Sequence, residues 1–420
     1  MRKRQSVIVS LTPTAAIDDT RTIKIARSFA KLGYRSIIVE NKKSPIDLDI
    51  RPVEIISLPG NVFPLPHKNK GLVSPREGSK QSLGQRVGEI SHFLRFVVSY
   101  LIIRPLQAFR HLKQADLIYL HEYRLYPVVV LARLLGARGS LIYDAHDFYP
   151  NVYETKKLSN FWRGIFLPTL ICMERWCLRG AAKTVVVSGG VATLYKLHAN
   201  IDAEIVRNSH DPSLDIHQSQ NLRSLLNLSE KDFVIVCVGN RKPGLAVAPL
   251  IDALAKVPEN VHLVFIGQGH EWSDVYAGES NVSDRVHALG RIQSGAIVPT
   301  IKTADVAIVP YCSDTENARA ILPNGLFQSI AAARPLIYAG LPDIKALIGE
   351  KRVGIEIDAT NCQEVVSAIK KMHNGSSFRN ECAQSTLRLS AEVSWVTEVD
   401  KLKVIVESVV HRQGSEHHDT

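Results

Sequence analysis

Short apolar runs alternate with amphipathic helical patterns along most of the chain. Six runs in the first half predict β-strands: Val7–Leu11, Ser36–Val39, Glu54–Leu58, Leu117–Leu120, Leu141–Tyr143 and Thr184–Val187. A second series follows: Phe233–Val238, Val261–Ile266, Val286–Leu289, Val306–Val309 and Pro335–Tyr338. Helical patterns lie between the strands, for example at 21–32, 125–135, 250–255 and 325–333. Because continuous apolar strands separated by helices are typical of parallel sheets covered on both faces, the pattern predicts an α/β protein with two doubly wound domains.

A largely polar stretch separates the two series. Residues 207–232 are rich in Ser, Asn and Asp and contain a proline, which are residue types of turns and connections. We therefore place the boundary near residue 206 and expect a first domain over 1–206 and a second domain from 207.

Residues 60–112 interrupt the alternation. Gly, Pro, Ser, Lys and Arg without apolar periodicity predict a long loop over 60–86, and a helix with a wide apolar face follows over 87–112. Arg95 and Arg104 interrupt that face, so no run reaches the ~20 apolar residues of a membrane span. Two interpretations stay open: a helix buried in the core, or an interfacial helix whose neighbouring cations face anionic lipid.

The distribution of charge indicates an anionic partner for the first domain. The formal net charge is +10, but residues 1–206 hold 30 Lys or Arg and 16 Asp or Glu, whereas the rest holds 21 and 25. An acidic second half argues against a general nucleic-acid binder. A basic first half favours a membrane surface or a phosphate-bearing substrate as partner.

The six cysteines do not predict a zinc site or a disulfide framework. None forms a Cys-x-x-Cys pair, and six in 420 residues are sparse, so we expect a reducing, cytosolic compartment. The basic N-terminus and the short run Val7–Leu11 lack the longer apolar region and cleavage site of a signal peptide, and we interpret them as leading into the first strand.

Open α/β sheets bind ligands beyond the carboxyl ends of their strands. Two such positions in the second domain hold glycines, in the segments Gly239-Asn-Arg241-Lys242-Pro-Gly244 and Gly267-Gln-Gly269-His270. Glycine lets the backbone approach a ligand, and two cations beside a helix N-terminus suit a pyrophosphate. The alternative for each segment is a plain turn, and the Walker pattern is absent.

A third candidate segment, from Asn317 to Gln328, follows strand Val306–Val309. Pro323 is well placed to begin a helix, with Asn324 in its first turn. Arg319 precedes that helix and is a candidate for contact with a diphosphate, and Gln328 is a candidate for hydrogen bonds to sugar hydroxyls. A simple capped helix is the alternative.

In the first domain, His121 and His146 follow two consecutive predicted strands. If these strands are neighbours in the sheet, both histidines lie at one edge, where with adjacent acidic residues they suggest a polar site for sugar hydroxyls. Each could instead be a structural hydrogen-bonding residue. Metal ligation is a further alternative, but the mixed His/Asp spacing is not a recognised zinc pattern, and we predict no metal site.

The second domain contains a segment that resembles a known family. Leu322-Pro-Asn-Gly-Leu-Phe-Gln-Ser-Ile-Ala-Ala-Ala-Arg-Pro335 resembles the donor-nucleotide segment of family 4 glycosyltransferases. One branch reads Asn-x-Arg-x-x-Leu-Pro-Asn-Lys-Leu-Phe-Glu-Tyr, which this chain matches in register at Asn317, Arg319, Leu322, Pro323, Asn324, Leu326 and Phe327. Weaker matches cover nearly the whole chain: Asp19-Thr-Arg21, His121, Tyr143-Asp-Ala-His146-Asp, Val238-Gly239-Asn240, Leu289-Gly290-Arg291 and Trp395.

This resemblance implies a GT-B fold, in which two Rossmann-like domains face each other across a crevice. The second domain, 207–392, would bind a nucleotide-diphosphate sugar, and a C-terminal helix over 393–412 would complete the first, acceptor-binding domain. Transfer is expected to retain the anomeric configuration and to need no essential metal or other cofactor. The expected acceptor is a glycan or lipid-linked molecule of cell-surface polysaccharide or glycolipid synthesis, at the cytoplasmic face of an anionic membrane contacted through 60–112.

The resemblance also assigns candidate residues. His121 matches the family's active-site histidine, and His146 is the second catalytic candidate. Donor residues are expected in two groups: Gly239, Arg241, Lys242 and Arg319 at the diphosphate, and Asn317, Asn324, Gln328 and Gly267 at the nucleotide and sugar.

The chain departs from the family pattern at the donor segment. The family's Glu-x7-Glu pair falls on Ala320 and Gln328, and the branch's Lys falls on Gly325. A binding subunit with a weakened donor site is therefore one alternative to a glycosyltransferase. A nucleotide-sugar epimerase on the same fold is another. Asp47-Leu-Asp49 resembles the Asp-x-Asp of metal-dependent glycosyltransferases, but a match of three residues is expected by chance.

Overall fold

The computed structural model describes residues 5–44, 50–59, 91, 95, 98–150, 160–216, 221–242, 244–312 and 315–416. The chain divides into two compact units, one formed by 1–186, 195–204 and 403–420 and the other by 187–194 and 205–402. Outside the described residues lie the predicted loop 60–86, the Asp47-Leu-Asp49 motif and, from the predicted helix 87–112, residues 87–97 except 91 and 95.

The first unit contains a seven-stranded sheet in the order β3-β2-β1-β4-β5-β6-β7. The pairings from β3 through β6 are parallel. Its strands are β1 Val7–Thr12, β2 Arg35–Glu40, β3 Glu54–Ser57, β4 Leu117–Leu120, β5 Ser140–Ala145, β6 Lys183–Val186 and β7 Glu204–Ile205. The central strands are buried along their whole length, as expected for a parallel sheet covered on both faces.

Helices connect these strands. They are α1 Thr20–Lys31, α2 Arg104–Lys113, α3 Tyr126–Leu134, α4 Asn160–Gly180 and α5 Gly189–Ala199, and residues 189–194 of α5 belong to the second unit. Asp19 caps α1, since its carboxylate accepts hydrogen bonds from the backbone N–H groups of Arg21 and Thr22, which have no partner within the helix. A π-helical segment, Ser99–Ile103, leads directly into α2.

The second unit contains a six-stranded parallel sheet in the order β10-β9-β8-β11-β12-β13. Its strands are β8 Phe233–Val238, β9 Val261–Ile266, β10 Val286–Ala288, β11 Val306–Val309, β12 Leu336–Ala339 and β13 Gly354–Ile357. Its helices are α6 Leu222–Leu225, α7 Val247–Leu254, α8 Glu271–Glu279, α9 Ser294–Ile301, α10 Glu316–Arg319, α11 Asn324–Ala331, α12 Pro342–Ile348, α13 Cys362–Asn374 and α14 Ser376–Glu392. The last helix, α15 Trp395–Glu416, begins in this unit, and its residues from 403 onwards belong to the first.

The predicted α/β class with two doubly wound parallel sheets is confirmed, and all eleven predicted strands are present with small shifts at their ends. Two strands were not predicted: β7, which has two residues, and β13. Both lie at a sheet edge, and their residues are mostly half-exposed, so neither has the continuous apolar run by which the other strands are identified.

The described end of the predicted helix 87–112 is buried on one face only. Val98, Ile102, Ile103 and Leu106 are 44–63% exposed, whereas Ala108 and Leu112 are fully buried. The core-helix interpretation therefore holds for one face of this part and not for the other. The Arg104 side chain is buried and donates a hydrogen bond to the carbonyl oxygen of Pro59 at 2.9 Å. No helix within the described residues combines the length and apolarity needed to cross a membrane.

Candidate active site

Three adjacent strands of the first unit deliver polar side chains to one edge of the sheet. β4 lies between β1 and β5, so His121 after β4 and His146 after β5 come together, with ring centroids 5.8 Å apart. The loop after β1 brings Asp19 to the same edge, where it groups with both histidines. The condition under which His121 and His146 share one edge, that their strands are neighbours, is therefore met.

A buried ion pair supports this edge. The Arg21 guanidinium donates two hydrogen bonds to the carboxylate of Asp144, each 2.8 Å long. Both side chains are fully buried, and such a bidentate pair is strong because it fixes geometry as well as charge. Burial would raise the pKa of Asp144, but the charge of Arg21 and the hydrogen bonds outweigh it and hold this pKa well below its usual range.

Asp144 also lies beside both imidazoles. Its Oδ2 atom is 3.5 Å from Nδ1 of His121 and 3.6 Å from Nε2 of His146. We call Asp19, Arg21, His121, Asp144 and His146 the histidine cluster. Asp144 thus links the buried ion pair to the two rings.

The surroundings shift the pKa values of the two histidines in opposite directions. Burial lowers the pKa of His121 to about 4, in spite of the nearby carboxylates, so its ring is neutral near pH 7. Burial also opposes charge on His146, but the carboxylates of Asp144 and Asp19 outweigh it and raise its pKa. A neutral imidazole beside a more basic one can exchange hydrogen bonds and protons with a hydroxyl-bearing ligand.

Sequence reasoning assigned no site role to Asp19, Arg21 or Asp144. All three lie in short matches to the family, and Asp19 and Asp144 follow predicted strands. The strand order was the missing information, because the Arg21–Asp144 pair joins residues 123 positions apart.

Glycines at the ends of β8 and β9 form a second polar edge, in the second unit. The backbone N–H of Gly239 donates to the carbonyl of Ile266 at 2.9 Å, and that of Gly267 donates to Gly290 at 2.8 Å. Gly267 has φ of +151°, and a Cβ there would lie 2.2 Å from the carbonyl oxygen of Gly239. Glycine is therefore required at Gly267 for the two turns to touch.

Two cations follow Gly239, and both are exposed. The Arg241 guanidinium stacks on the Trp272 ring, 4.2 Å from its centroid, and the Lys242 ammonium lies 5.4 Å from the ring centroid of Tyr311. Such contacts hold a cation in place while leaving its N–H donors available to a ligand. Neither cation forms an ion pair with a described residue.

Helix α11 begins against the end of β8. Gly325, in the first turn, makes this approach possible, since a Cβ there would lie 2.3 Å from the carbonyl oxygen of Val238. Asn324 accepts a hydrogen bond from the Asn208 side chain at 2.7 Å. Gln328 lies one turn into the helix and is half-buried. The first N–H groups of α11 have no partner within the helix and so form an anion-binding end.

We call Gly239, Arg241, Lys242, Gly267 and the first turn of α11 the donor edge. The remaining two predicted residues, Asn317 and Arg319, lie on α10, which follows β11. Arg319 is exposed at the end of that short helix and has no ion pair with a described residue. The structure therefore brings the glycines, α11 and the two cations to one edge, and no described contact joins α10 to them.

A cavity of about 630 Å³ lies beyond the ends of β12 and β13. Tyr311, the ring beside Lys242, contributes to its lining, but so do Glu356, Asp358 and Glu364. These carboxylates would repel a diphosphate. The cavity is therefore not part of the donor edge.

Two family profiles match the chain. The profile described as Glycosyltransferase Family 4 matches residues 20–214, and the one described as Glycosyl transferases group 1 matches 232–374. Together they include the histidine cluster, apart from Asp19, and the donor edge. The chain is a family 4 glycosyltransferase. No curated protein matches its sequence.

Solved structures share its fold along nearly the whole chain. Sucrose-phosphate synthase from Thermosynechococcus elongatus has 15% identity and a TM-score of 0.70 over 97% of this chain and 100% of its own. WaaG, a glycosyltransferase involved in lipopolysaccharide biosynthesis, has 14% identity and a TM-score of 0.65 over 96% and 99%. Anabaena HepE, in complex with UDP and glucose, has 17% identity and a TM-score of 0.65 over 96% and 100%. This glycosyltransferase therefore has the GT-B fold.

The structure gives a physical reason for one of its departures from the family pattern. A lysine at the position of Gly325 would have to place its Cβ against the carbonyl of Val238. In this glycosyltransferase the glycine lets the start of α11 approach β8 more closely than any other residue would. Gln328 retains an amide oxygen as hydrogen-bond acceptor where the family has a carboxylate.

Proposed function

We propose that this glycosyltransferase moves a sugar from a nucleotide-diphosphate sugar to a glycan or lipid-linked acceptor, with retention of the anomeric configuration. The donor edge carries the proposal: a glycine-lined sheet edge, two exposed cations and a helix N-terminus lie within the matched family domain. HepE, a structural neighbour, was solved with UDP and with UDP-glucose, which supports a nucleotide sugar as donor.

The donor edge suits the chemistry of sugar transfer. When the bond from the sugar to the diphosphate breaks, negative charge develops on the leaving phosphate. Arg241 and Lys242 would stabilise that charge, together with the unpaired N–H groups of α11. These groups can supply the countercharge alone, so we propose transfer without an essential metal.

The histidine cluster is proposed to bind sugar hydroxyls. His121 is neutral and buried, so it can accept or donate one hydrogen bond to a hydroxyl group, and His146 supplies a second, more basic ring. His121 and His146 are accordingly the proposed catalytic residues.

Donor binding tests the proposal most directly. UDP and a panel of nucleotide sugars are titrated by calorimetry, and each sugar nucleotide is assayed for hydrolysis and for transfer to lipid-linked and glycan acceptors. We expect at least one nucleotide sugar to bind and to be consumed. NMR of the product should show the same anomeric configuration, α or β, as that of the donor sugar. Arg241→Ala should weaken binding, whereas Lys302→Ala, at an exposed position after α9, should not. Failure of every nucleotide to bind would overturn the proposal.

We further propose that the described part of 60–112 docks on an anionic membrane surface at the cytoplasmic face. Val98, Ile102, Ile103 and Leu106 are exposed apolar residues on consecutive helical turns. The exposed cations Arg95, Arg110 and Lys113 lie on the same stretch of chain. Apolar side chains flanked by cations are the composition of an interfacial helix.

Vesicle sedimentation tests this docking. Binding to phosphatidylglycerol-containing vesicles should exceed binding to phosphatidylcholine alone and should weaken with salt. The pair Ile102→Glu and Leu106→Glu should abolish it, whereas Leu197→Glu, at a residue of α5 that is 74% exposed, should not. Equal binding by both variants would contradict the proposed surface.

A second candidate function is that of a binding subunit with a weakened donor site. Gln328 favours it, because an amide replaces the carboxylate that the family resemblance places near ribose. Under this alternative, Gln328→Glu creates no activity and the chain co-purifies with an active partner. Under the main proposal the wild-type chain consumes a nucleotide sugar by itself.

A further inference from the structure

We propose that His270 is a positioning residue of the donor edge: it orients the Gly239–Asn240 peptide so that the Asn240 N–H can donate a hydrogen bond to the diphosphate of the donor. His270 lies between β9 and α8, and its side chain is 1% exposed. Its Nε2 atom is 2.8 Å from the carbonyl oxygen of Gly239, which follows β8. The inference rests on the proposed nucleotide-sugar donor and adds a residue that acts through the backbone of another.

The position of the hydrogen on the His270 ring follows from its surroundings. Burial lowers the pKa of His270 in spite of the hydrogen bond to Gly239, and the charge of Arg241 adds to this effect. The ring is therefore neutral near pH 7 and carries one N–H. A carbonyl oxygen only accepts hydrogen bonds, so this hydrogen lies on Nε2 and is donated to Gly239. The other ring nitrogen, Nδ1, has no hydrogen-bond partner among the described residues.

The His270 ring is also held by stacking. It lies on the Phe265 ring with the centroids 4.5 Å apart and 14° between the two planes. Phe265 belongs to the buried strand β9. A phenylalanine ring at position 270 has a similar size and could stack in the same way, without the cost of a buried nitrogen that lacks a partner. The feature that histidine adds is therefore the N–H donated to Gly239.

This hydrogen bond sets the direction of a backbone N–H. In a planar trans peptide the C=O and N–H bonds point in opposite directions. The Gly239 carbonyl points to His270, so the Asn240 N–H points away from it, and no described residue accepts a hydrogen bond from this N–H. Gly267 packs against the same peptide without a side chain. An unpaired N–H beside the two cations of the donor edge suits an anionic phosphate.

The other contacts of this turn do not hold the Gly239 carbonyl. The Asn240 side chain accepts a hydrogen bond from the N–H of Gln268 at 2.8 Å, and the Arg241 N–H donates to the Gln268 carbonyl at 2.9 Å. Glycine at 239, with φ of +143°, leaves the adjoining peptide free to rotate. Without His270 the carbonyl would lose its partner, and rotation would turn its oxygen towards the phosphate, which it repels.

The tautomer of His270 tests the first step in the full chain without any ligand. The protein is labelled with ¹⁵N-histidine, and the His270 signals are identified by their absence from His270→Phe. We expect a neutral ring with the hydrogen on Nε2. A hydrogen on Nδ1 would overturn the proposal, because that ring cannot donate to Gly239.

Matched variants test the effect on the donor site. His270→Phe keeps the stack on Phe265 but loses the N–H, so the Kd for UDP should rise about tenfold, as expected for one hydrogen bond to a charged group. The Kd for uridine, which has no phosphate, should not change. His270→Gln can place an amide N–H near the position of Nε2 and should recover part of the UDP affinity. Ser273→Ala, which removes a buried hydroxyl from the first turn of α8, should bind UDP like the wild type.

The outcomes separate this inference from the proposed function. If the wild type binds no nucleotide, the donor site itself is wrong and this inference fails with it. If the wild type binds UDP and His270→Phe binds it equally well, the donor site stands and the role of His270 is refuted. The same conclusion follows if His270→Phe weakens UDP and uridine by the same factor, since a merely structural role would act on both ligands.

Discussion

Replacement of Gly325 by alanine tests how closely α11 must approach β8. The new Cβ would lie 2.3 Å from the carbonyl oxygen and 3.2 Å from the carbonyl carbon of Val238. Both atoms belong to the backbone of a buried central strand, so no flexible side chain can move aside. Relief of the contact requires α11 to move away by about an ångström, since ordinary non-bonded carbon contacts are about 3.5 Å or longer.

The expected sign is opposite to the usual effect of this substitution. Glycine to alanine inside a helix ordinarily stabilises by about 0.5–1 kcal/mol. Overpacking of a well-packed site costs about 1–3 kcal/mol, and here it should dominate. For a domain of this size, the melting temperature should fall by roughly 2–12 °C. UDP affinity should also fall, by about tenfold if the displaced helix end loses about 1.4 kcal/mol of phosphate contact.

The assay compares two helical glycines. Gly164 lies in α4, and a Cβ there would meet no atom within 4 Å. Thermal unfolding and UDP calorimetry are measured for the wild type, Gly325→Ala and Gly164→Ala. Gly164→Ala should be neutral or stabilising in both measurements. If Gly325→Ala behaves the same way, the inferred close approach of α11 to β8 is wrong.

The other predictions concern charge. Arg241→Ala should raise the Kd for UDP by about 10- to 100-fold, as expected for loss of a charge-assisted hydrogen bond worth about 1.5–3 kcal/mol, and calorimetry beside Lys302→Ala measures it. Asp144→Asn should lower the unfolding free energy by about 3–5 kcal/mol because the buried Arg21 loses its countercharge; a change below 1 kcal/mol in chemical denaturation would contradict this. Burial raises the pKa of Glu174 to about 7, so its contribution to stability is present below about pH 4.5 and is lost as the pH rises through 7. Glu174→Gln should therefore stabilise the protein more at pH 8 than at pH 5, and parallel melting-temperature profiles of the two proteins would refute the assignment.

The Tyr195 side chain connects Glu174 to the backbone beside the histidine cluster. The Tyr195 hydroxyl lies within hydrogen-bond distance of the Glu174 carboxyl group and of the carbonyl oxygen of Asp147, the residue after His146. Its single hydrogen can be donated to one of them at a time, and a protonated Glu174 can donate to the hydroxyl oxygen while Tyr195 donates to Asp147. Tyr143 donates a second hydrogen bond to the same carboxyl group at 3.1 Å. Buried polar networks of this kind specify one arrangement of a loop, because each broken bond leaves a buried atom unsatisfied.

Features that depend on residues close together in the sequence were predictable. The apolar runs and the turns between them identified every central strand, because burial on both faces of a parallel sheet demands continuous apolar sequence. Gly239, Arg241, Lys242 and Gly267 were chosen because they follow such strands, and the structure places them at one edge. The helix with Asn324 and Gln328 was likewise predicted from Pro323 and the apolar pattern after it.

Features that depend on strand order were not predictable. Whether His121 and His146 meet depends on β4 and β5 being neighbours, and the addition of Asp19 depends on β1 lying beside β4. The burial of Arg104 was not predictable either, because the Pro59 carbonyl that accepts its hydrogen bond lies 45 residues away in the chain.

The sequence by itself therefore determined the fold class, the family and the position of the donor edge, since periodicity, glycine and proline act over a few residues. Only the tertiary structure decided which polar groups share a buried environment. Gly325 illustrates the difference. In the sequence it is only a departure from the lysine of the family pattern, whereas in the structure its lack of a side chain lets α11 pack against β8. Contacts between residues far apart in the chain set burial and charge, and these set the chemistry of each site.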